Sequence, residues 1–172
     1  MSRAPDFGAV KTSAELLSVA RAMEERSAER YRELAEAFEA SCNNPDTAKA
    51  FAELADIEER HAADFPASVG PRPETVPWGE DDPAIADVNA VHYLMWPWHA
   101  FDLALRHEHE TLDLFSALGE KSPFEEVRAE ATRLVEREKG HIVTMQTRRD
   151  QLPVPPEDWD DDDDDPNWEA GD

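Results

Sequence analysis

Two Glu-x-x-His quartets, Glu58-Glu59-Arg60-His61 and Glu138-Lys139-Gly140-His141, stand in separate segments of this sequence. Each follows a segment with a glutamate near its middle, Glu24 in one case and Glu108 in the other. Four carboxylates balance the charge of two divalent cations, and two imidazoles complete a mixed oxygen and nitrogen donor set. Such a set suits iron or manganese better than metals that seek thiolates. One quartet alone is a weak signal, because an acid-rich chain contains about one by chance. Two of them, repeated in the same order and each behind a central Glu, carry far more weight.

These six groups are useful only if helices bring them to one place. Each segment carries an apolar stripe at three-four spacing, and acid interrupts each stripe near its middle. The first reads Leu17, Ala20, Glu24, Ser27, Tyr31, Leu34, Phe38 and the second Phe51, Leu54, Glu58, His61, Phe65. The third reads Phe101, Ala104, Glu108, Thr111, Phe115, Leu118 and the fourth Val127, Ala131, Leu134, Glu138, His141, Met145. Positions three and four apart share a helix face, so all six polar groups point inward with the core. Burying that many carboxylates uncompensated costs several kcal/mol each, which calls for neutralising cations.

Local signals bound the four helices. Thr12 and Glu15 form a capping box that opens the first, which runs to about Ala40. Cys42-Asn43-Asn44-Pro45 stops it, and the second runs from Asp46 or Thr47 to about Phe65. Pro71, Pro73, Pro77 and Pro83, with Gly70 and Gly79, exclude a continuous helix over residues 67–95. Pro97 opens the third helix, and Gly119 is expected to end it after Leu118. Ser122-Pro123-Phe124-Glu125 reads as a second capping box opening a fourth helix to about Arg149. The result is an all-α, four-helix bundle of two helical hairpins joined by one long crossover, as in ferritin-like folds. The bundle is expected to occupy residues 12–150. Residues 153–172 hold ten acidic residues, four prolines and no basic residue, so 151–172 reads as a disordered acidic tail.

Charge excludes several classes of function. The 172 residues include 40 acidic against 17 basic ones, a formal charge of −23, which disfavours nucleic acid and anionic membranes and attracts cations. The single cysteine, Cys42, permits neither an intrachain disulfide nor a thiolate-only metal site. No stretch approaches the roughly 20 apolar residues of a bilayer span, and MSRAPDFGAV does not read as a signal peptide. A soluble, cytoplasmic protein is the expectation, with a homodimer as its assembly.

The motifs resemble those of the rubrerythrin branch of the ferritin-like family. Glu24-Glu25-Arg26-Ser27-Ala28-Glu29-Arg30-Tyr31 is similar to its first-helix motif, and Ala55-Asp56-Ile57-Glu58-Glu59-Arg60-His61 to its second. Met95-Trp96-Pro97-Trp98-His99-Ala100, followed by Leu103 to Phe115, resembles the third-helix entry of short relatives without rubredoxin. The resemblance implies two iron ions, with manganese as the alternative. It implies that Glu58 and Glu138 bridge them while Glu24, Glu108, His61 and His141 cap the two ends. It further implies Fe(II) oxidation by O2 or H2O2, or peroxide reduction. One cysteine cannot build the family's four-Cys rubredoxin, so an external reductant is expected. Rubrerythrins proper also use a further Glu on the third helix; the position three after Glu108 is Thr111. Iron sequestration without turnover would use the same ligands. An oxygenase acting on an organic substrate would need an apolar gap beside the metals, and the stripes show none.

Neighbouring residues have plainer readings. Glu110 lies about 200° around the third helix from Glu108 and reads as a solvated group; His107 and His109 flank Glu108 by about 100° and read as surface histidines, with a metal-entry role as the alternative. Tyr31 is either a core aromatic or a hydroxyl donor to a ligand carboxylate. Trp159 and Trp168 are the tail's large apolar groups, either unanchored or docking on a partner. Six consecutive aspartates, Asp160 to Asp165, serve either to concentrate Fe(II) or simply to keep the protein in solution.

Overall fold

The computed structural model describes residues 6–40, 44–72 and 91–160. Among them are four helices: α1 (Ser13–Ala40), α2 (Pro45–Ala63), α3 (Pro97–Lys121) and α4 (Glu125–Asp150). The strongest packing is α1 on α2 and α3 on α4, and contacts of α2 with α3 and α1 with α4 close the square. This is the ferritin-like four-helix bundle of two hairpins. No helix of the described residues is long and apolar enough to cross a membrane. Cys42, most of the crossover (73–90) and the tail from 161, with Trp168, lie outside the described residues.

The caps explain where the helices start. Thr12 Oγ1 accepts the Glu15 N–H at 3.1 Å, and Glu15 Oε2 accepts the N–H groups of Thr12 and Lys11 at 3.3 and 2.7 Å. Glu126 adds a tertiary cap, accepting the Ser13 N–H at 3.1 Å from the first turn of α4. α2 starts at Pro45, just before the expected Asp46 or Thr47, and Asn44 caps it, its Oδ1 accepting the Thr47 N–H at 3.2 Å. Pro45 therefore begins the second helix more than it ends the first. At α3, His99 Nδ1 accepts the Trp96 N–H at 3.0 Å, and Pro97 opens the helix as expected.

Two boundaries differ from expectation. α3 does not stop at Gly119 but continues to Lys121. Gly119 faces α4, where a Cβ would sit 3.6 Å from Thr132 Oγ1, so this glycine serves close packing inside a helix rather than a turn after one. Ser122 does not cap α4. Its N–H closes α3 on the Leu118 carbonyl at 3.1 Å, and its hydroxyl accepts the Phe124 N–H, at 3.3 Å, ahead of the first residue of α4. Phe124 occupies the N-cap position of α4 without a side-chain cap, and Pro123 precedes the helix.

The core divides in two along the bundle. One apolar cluster joins Tyr31, Phe38, Phe51, Leu54, Phe101, Ala104 and Met145. The other joins Leu16, Val19, Met23, Phe65, Phe115, Leu118, Val127 and Leu134. On every helix the acidic position of the stripe falls between residues of the two clusters, so the polar layer is roofed and floored by hydrocarbon. At the start of the expected tail, Leu152 and Trp159 are partly buried. Leu152 and Trp159 pack against the first cluster, and the Trp159 ring lies 4.0 Å from that of His99 and edge-on 5.5 Å from that of His92.

Candidate metal centre

All six residues singled out by their spacing meet in that layer. Glu24, Glu58, Glu108, Glu138 and His141 are buried, Glu138 to 1% exposure, and His61 is nearly so. Their donor atoms form three overlapping groups, each within 4.8 Å: Glu24, His61 and His141; Glu58, His61 and Glu108; Glu108, Glu138 and His141. Each group draws on at least two helices and the three together on all four. No single hairpin builds the site.

The imidazoles stack almost parallel, with centroids 3.4 Å apart and planes 5° from coincidence. His61 Nδ1 lies 3.4 Å from Glu58 Oε2 and 3.8 Å from Glu24 Oε2. His141 Nδ1 lies 3.3 Å from Glu138 Oε2, 3.7 Å from Glu108 Oε2 and 3.9 Å from Glu24 Oε1. Despite this proximity both Nδ1 atoms are buried without a hydrogen bond. The oxygens surround the nitrogens but do not lie in the direction a hydrogen bond needs. A buried polar atom left in that state is costly, and ligation is one of the few arrangements that explains it.

The electrostatics agree. Burial, then the Glu58 charge and hydrogen bond, lift the Glu24 carboxyl well above its usual range. Burial, then Glu138 and Glu24, do the same to Glu108. Glu58 is pushed up to about 8 by burial and by Glu108, although the hydrogen bond from Glu24 works the other way. Burial and the neighbouring His141 lower His61 to about 4, leaving a neutral imidazole with a free electron pair to give. Burial also acts to lower His141, but Glu138 and Glu24 outweigh it and the net shift is upward. Burial and like charge penalise ionisation of Glu24, Glu58 and Glu108, and cations among them would relieve it. A pair of divalent cations would supply the missing charge and give each orphaned Nδ1 a partner, so the donor set fits a metal centre.

Residues 15–147 match the rubrerythrin family. The chain belongs to the rubrerythrin family. It is also similar to the crystal structure of an uncharacterized conserved protein from Magnetospirillum magnetotacticum MS-1. The two are 29% identical, with a TM-score of 0.57 over 83% of this chain and 97% of that one. No curated protein matches the chain. The family match covers both quartets and both central glutamates, so the rubrerythrin bundle and the polar layer are the same stretch of sequence.

Two residues near this rubrerythrin centre escaped the spacing argument. His107 is buried rather than on the surface, and its Nδ1 lies 3.2 Å from the Tyr31 hydroxyl. The signal was present, since His107 continues the edge of the α3 stripe from Ala100 and Leu103. Tyr31 is thus both core aromatic and polar partner, but its hydroxyl meets an imidazole instead of a ligand carboxylate. Arg137, next to Glu138, reaches across to the end of α2, where it donates to the His61 carbonyl and lies over the Phe65 ring at 4.0 Å. Nothing in its spacing announced this, because the contact depends on how α4 lies against α2. His109 and Glu110 are exposed, as expected.

Proposed function

We propose that this protein is a di-iron carboxylate redox protein that oxidises Fe(II) with O2 or hydrogen peroxide, with manganese as the alternative metal. The observation that carries this reading is the pair of buried, hydrogen-bond-free Nδ1 atoms among four carboxylates contributed by four helices. Glu24, Glu58, His61, Glu108, Glu138 and His141 would hold the ions, and Glu58 and Glu138 are the most buried of the six. Two iron ions held there would supply the two electrons that, with two protons, convert hydrogen peroxide to two waters.

The chain's own residues would do the rest. The apolar clusters on either side keep bulk water from the layer. Glu24 is hydrogen-bonded to Glu58, and Glu108 to Glu138, with the Glu24, Glu58 and Glu108 carboxyls all raised, so cation entry should release protons. A void of about 20 Å³ beside the carboxylates is bordered by Ser27, Tyr31, His107 and Thr111. Glu24, Glu58, Glu108 and Glu138 line the same void, which has room for one water-sized molecule. An external reductant and a homodimer complete the proposal.

Aerobic titration with Fe(II), followed by near-ultraviolet absorbance and metal analysis, tests it. About two irons per chain should bind. Glu58→Ala and Glu138→Ala should each lose most of that binding. Parent-like loading by both variants would overturn the assignment.

A further inference from the structure

We infer that Arg137 is a positioning residue that braces His61, so that one of the two metal positions depends on it and the other does not. The inference rests on the two-metal reading above. It starts from an asymmetry between hairpins that share one chemical pattern. His141 lies in the body of α4, nine residues before the helix ends at Asp150. His61 lies in the last turn of α2, two residues before its end at Ala63.

Carbonyls in a last turn lack their regular helical partners, and such turns fray most readily. The backbone donor for the His61 carbonyl is the Asp64 N–H, at 3.3 Å, and Asp64 N–H also serves Arg60 at 3.1 Å. The Arg137 guanidinium supplies a second donor to that carbonyl, from the other hairpin. Its plane also covers the Phe65 ring at 4.0 Å, which pins the residues that follow α2. A cation at a helix C-terminus is favourable in its own right. Arg137 therefore ties the terminal turn carrying His61 to the helix carrying Glu138 and His141. The position that matches Arg137 in the first hairpin, immediately before Glu58, is Ile57, a buried core residue that offers no such donor. The brace is one-sided.

Co(II) titration of the metal-free protein tests this, with visible absorbance reporting the ligand set and calorimetry the two affinities. The parent should bind two Co(II) ions. In Arg137→Gln one step should weaken by roughly 10- to 100-fold, the usual cost of removing a group that orients a ligand, while the other step holds. Arg137→Lys keeps the charge but loses the flat fork and the ring contact, and should recover only part of the affinity. The double-mutant cycle with His61→Ala separates positioning from general damage. Arg137→Gln should cost little further affinity once His61 is gone. Equal affinities and spectra in parent and Arg137→Gln, full recovery by Lys, or losses that simply add in the cycle would each overturn the inference. A parent that binds no Co(II) would instead remove the two-metal reading on which it rests.

Discussion

At the scale of single residues, the protons of the metal layer make stability depend on pH. Glu24, Glu58 and Glu108 hold protons more tightly folded than unfolded, because burial and neighbouring carboxylates penalise their charge. Their contribution is complete below the ordinary carboxyl value of 4.5 and is lost as pH rises through the folded values, about 8 for Glu58. His141, also raised, acts in the same direction from 6.5 upward. His61 acts oppositely, but only below its ordinary 6.5, as pH falls towards about 4. The chelator-treated protein should therefore melt at progressively lower temperature between pH 6.5 and 8.5, and Glu58→Gln should flatten that slope. Calorimetric melts across this window check it; a rising melting temperature would mean the acids are not crowded together. A second residue-scale test concerns Tyr31. Burial, then the charge of Glu58, raise its phenol well above the usual range, so it keeps its proton and can donate to His107 Nδ1. Tyr31→Phe takes that hydroxyl from a buried imidazole and should cost about 1–3 kcal/mol in urea unfolding. No measurable loss would show that the pair contributes nothing to the fold.

At the scale of the element, α4 carries a defect beside its ligands. Gly140 sits in the helix between Glu138 and His141, is exposed, and has nothing within 4 Å of where a Cβ would stand. Glycine inside a helix costs about 0.5–1 kcal/mol relative to alanine, and here no steric reason opposes the change. Gly140→Ala should stabilise the metal-free protein by about that amount. Thermal melts of the two proteins decide it, and a loss of stability would mean that α4 needs to flex at this point. Gly119 is the contrasting case. Its missing Cβ faces Thr132 and Ala131 across the hairpin, so alanine there must fit into an already close α3–α4 contact.

For the whole molecule, the end of the bundle away from the Phe65 cluster is closed by pieces from three parts of the chain. Trp159, from beyond α4, packs between His92 of the crossover and His99 of α3. Arg148 grips Glu53 of α2 through two hydrogen bonds of 2.6 and 2.8 Å, and Arg149 reaches Asp102 of α3 at 2.8 Å. These half-exposed ion pairs are worth little singly, so the apolar contact of Trp159 carries most of the closure. Trp159→Ala should destabilise by about 1–2 kcal/mol, less than a fully buried tryptophan because the ring is only partly covered. A chain ending at Gln151, which lacks Leu152 as well, should lose at least as much while keeping its helices. Guanidinium unfolding followed by circular dichroism measures both, and unchanged midpoints would return the segment to a free tail.

Periodicity, turn residues and the repeated Glu-x-x-His spacing together determined the four helices, the two hairpins and the six polar groups of the layer. Those features are local: a three-four stripe fixes which side of a helix is buried, and an acid on that stripe must go wherever the stripe goes. The starts of α1 and α3 were equally local, since Thr12, Glu15 and Pro97 act on their own first turns. Only the tertiary structure decided the rest. Whether Gly119 ends a helix or packs inside one depends on α4 lying against it, and Ser122 closes α3 instead of opening α4. The angle of His107 from Glu108 points to the surface, but Tyr31 reaches across the bundle from α1 to its Nδ1, and the ring is buried there. Trp159 and Arg137 act across distances in sequence that no stripe records. Their partners are set by how the hairpins dock, and docking is a property of four faces at once.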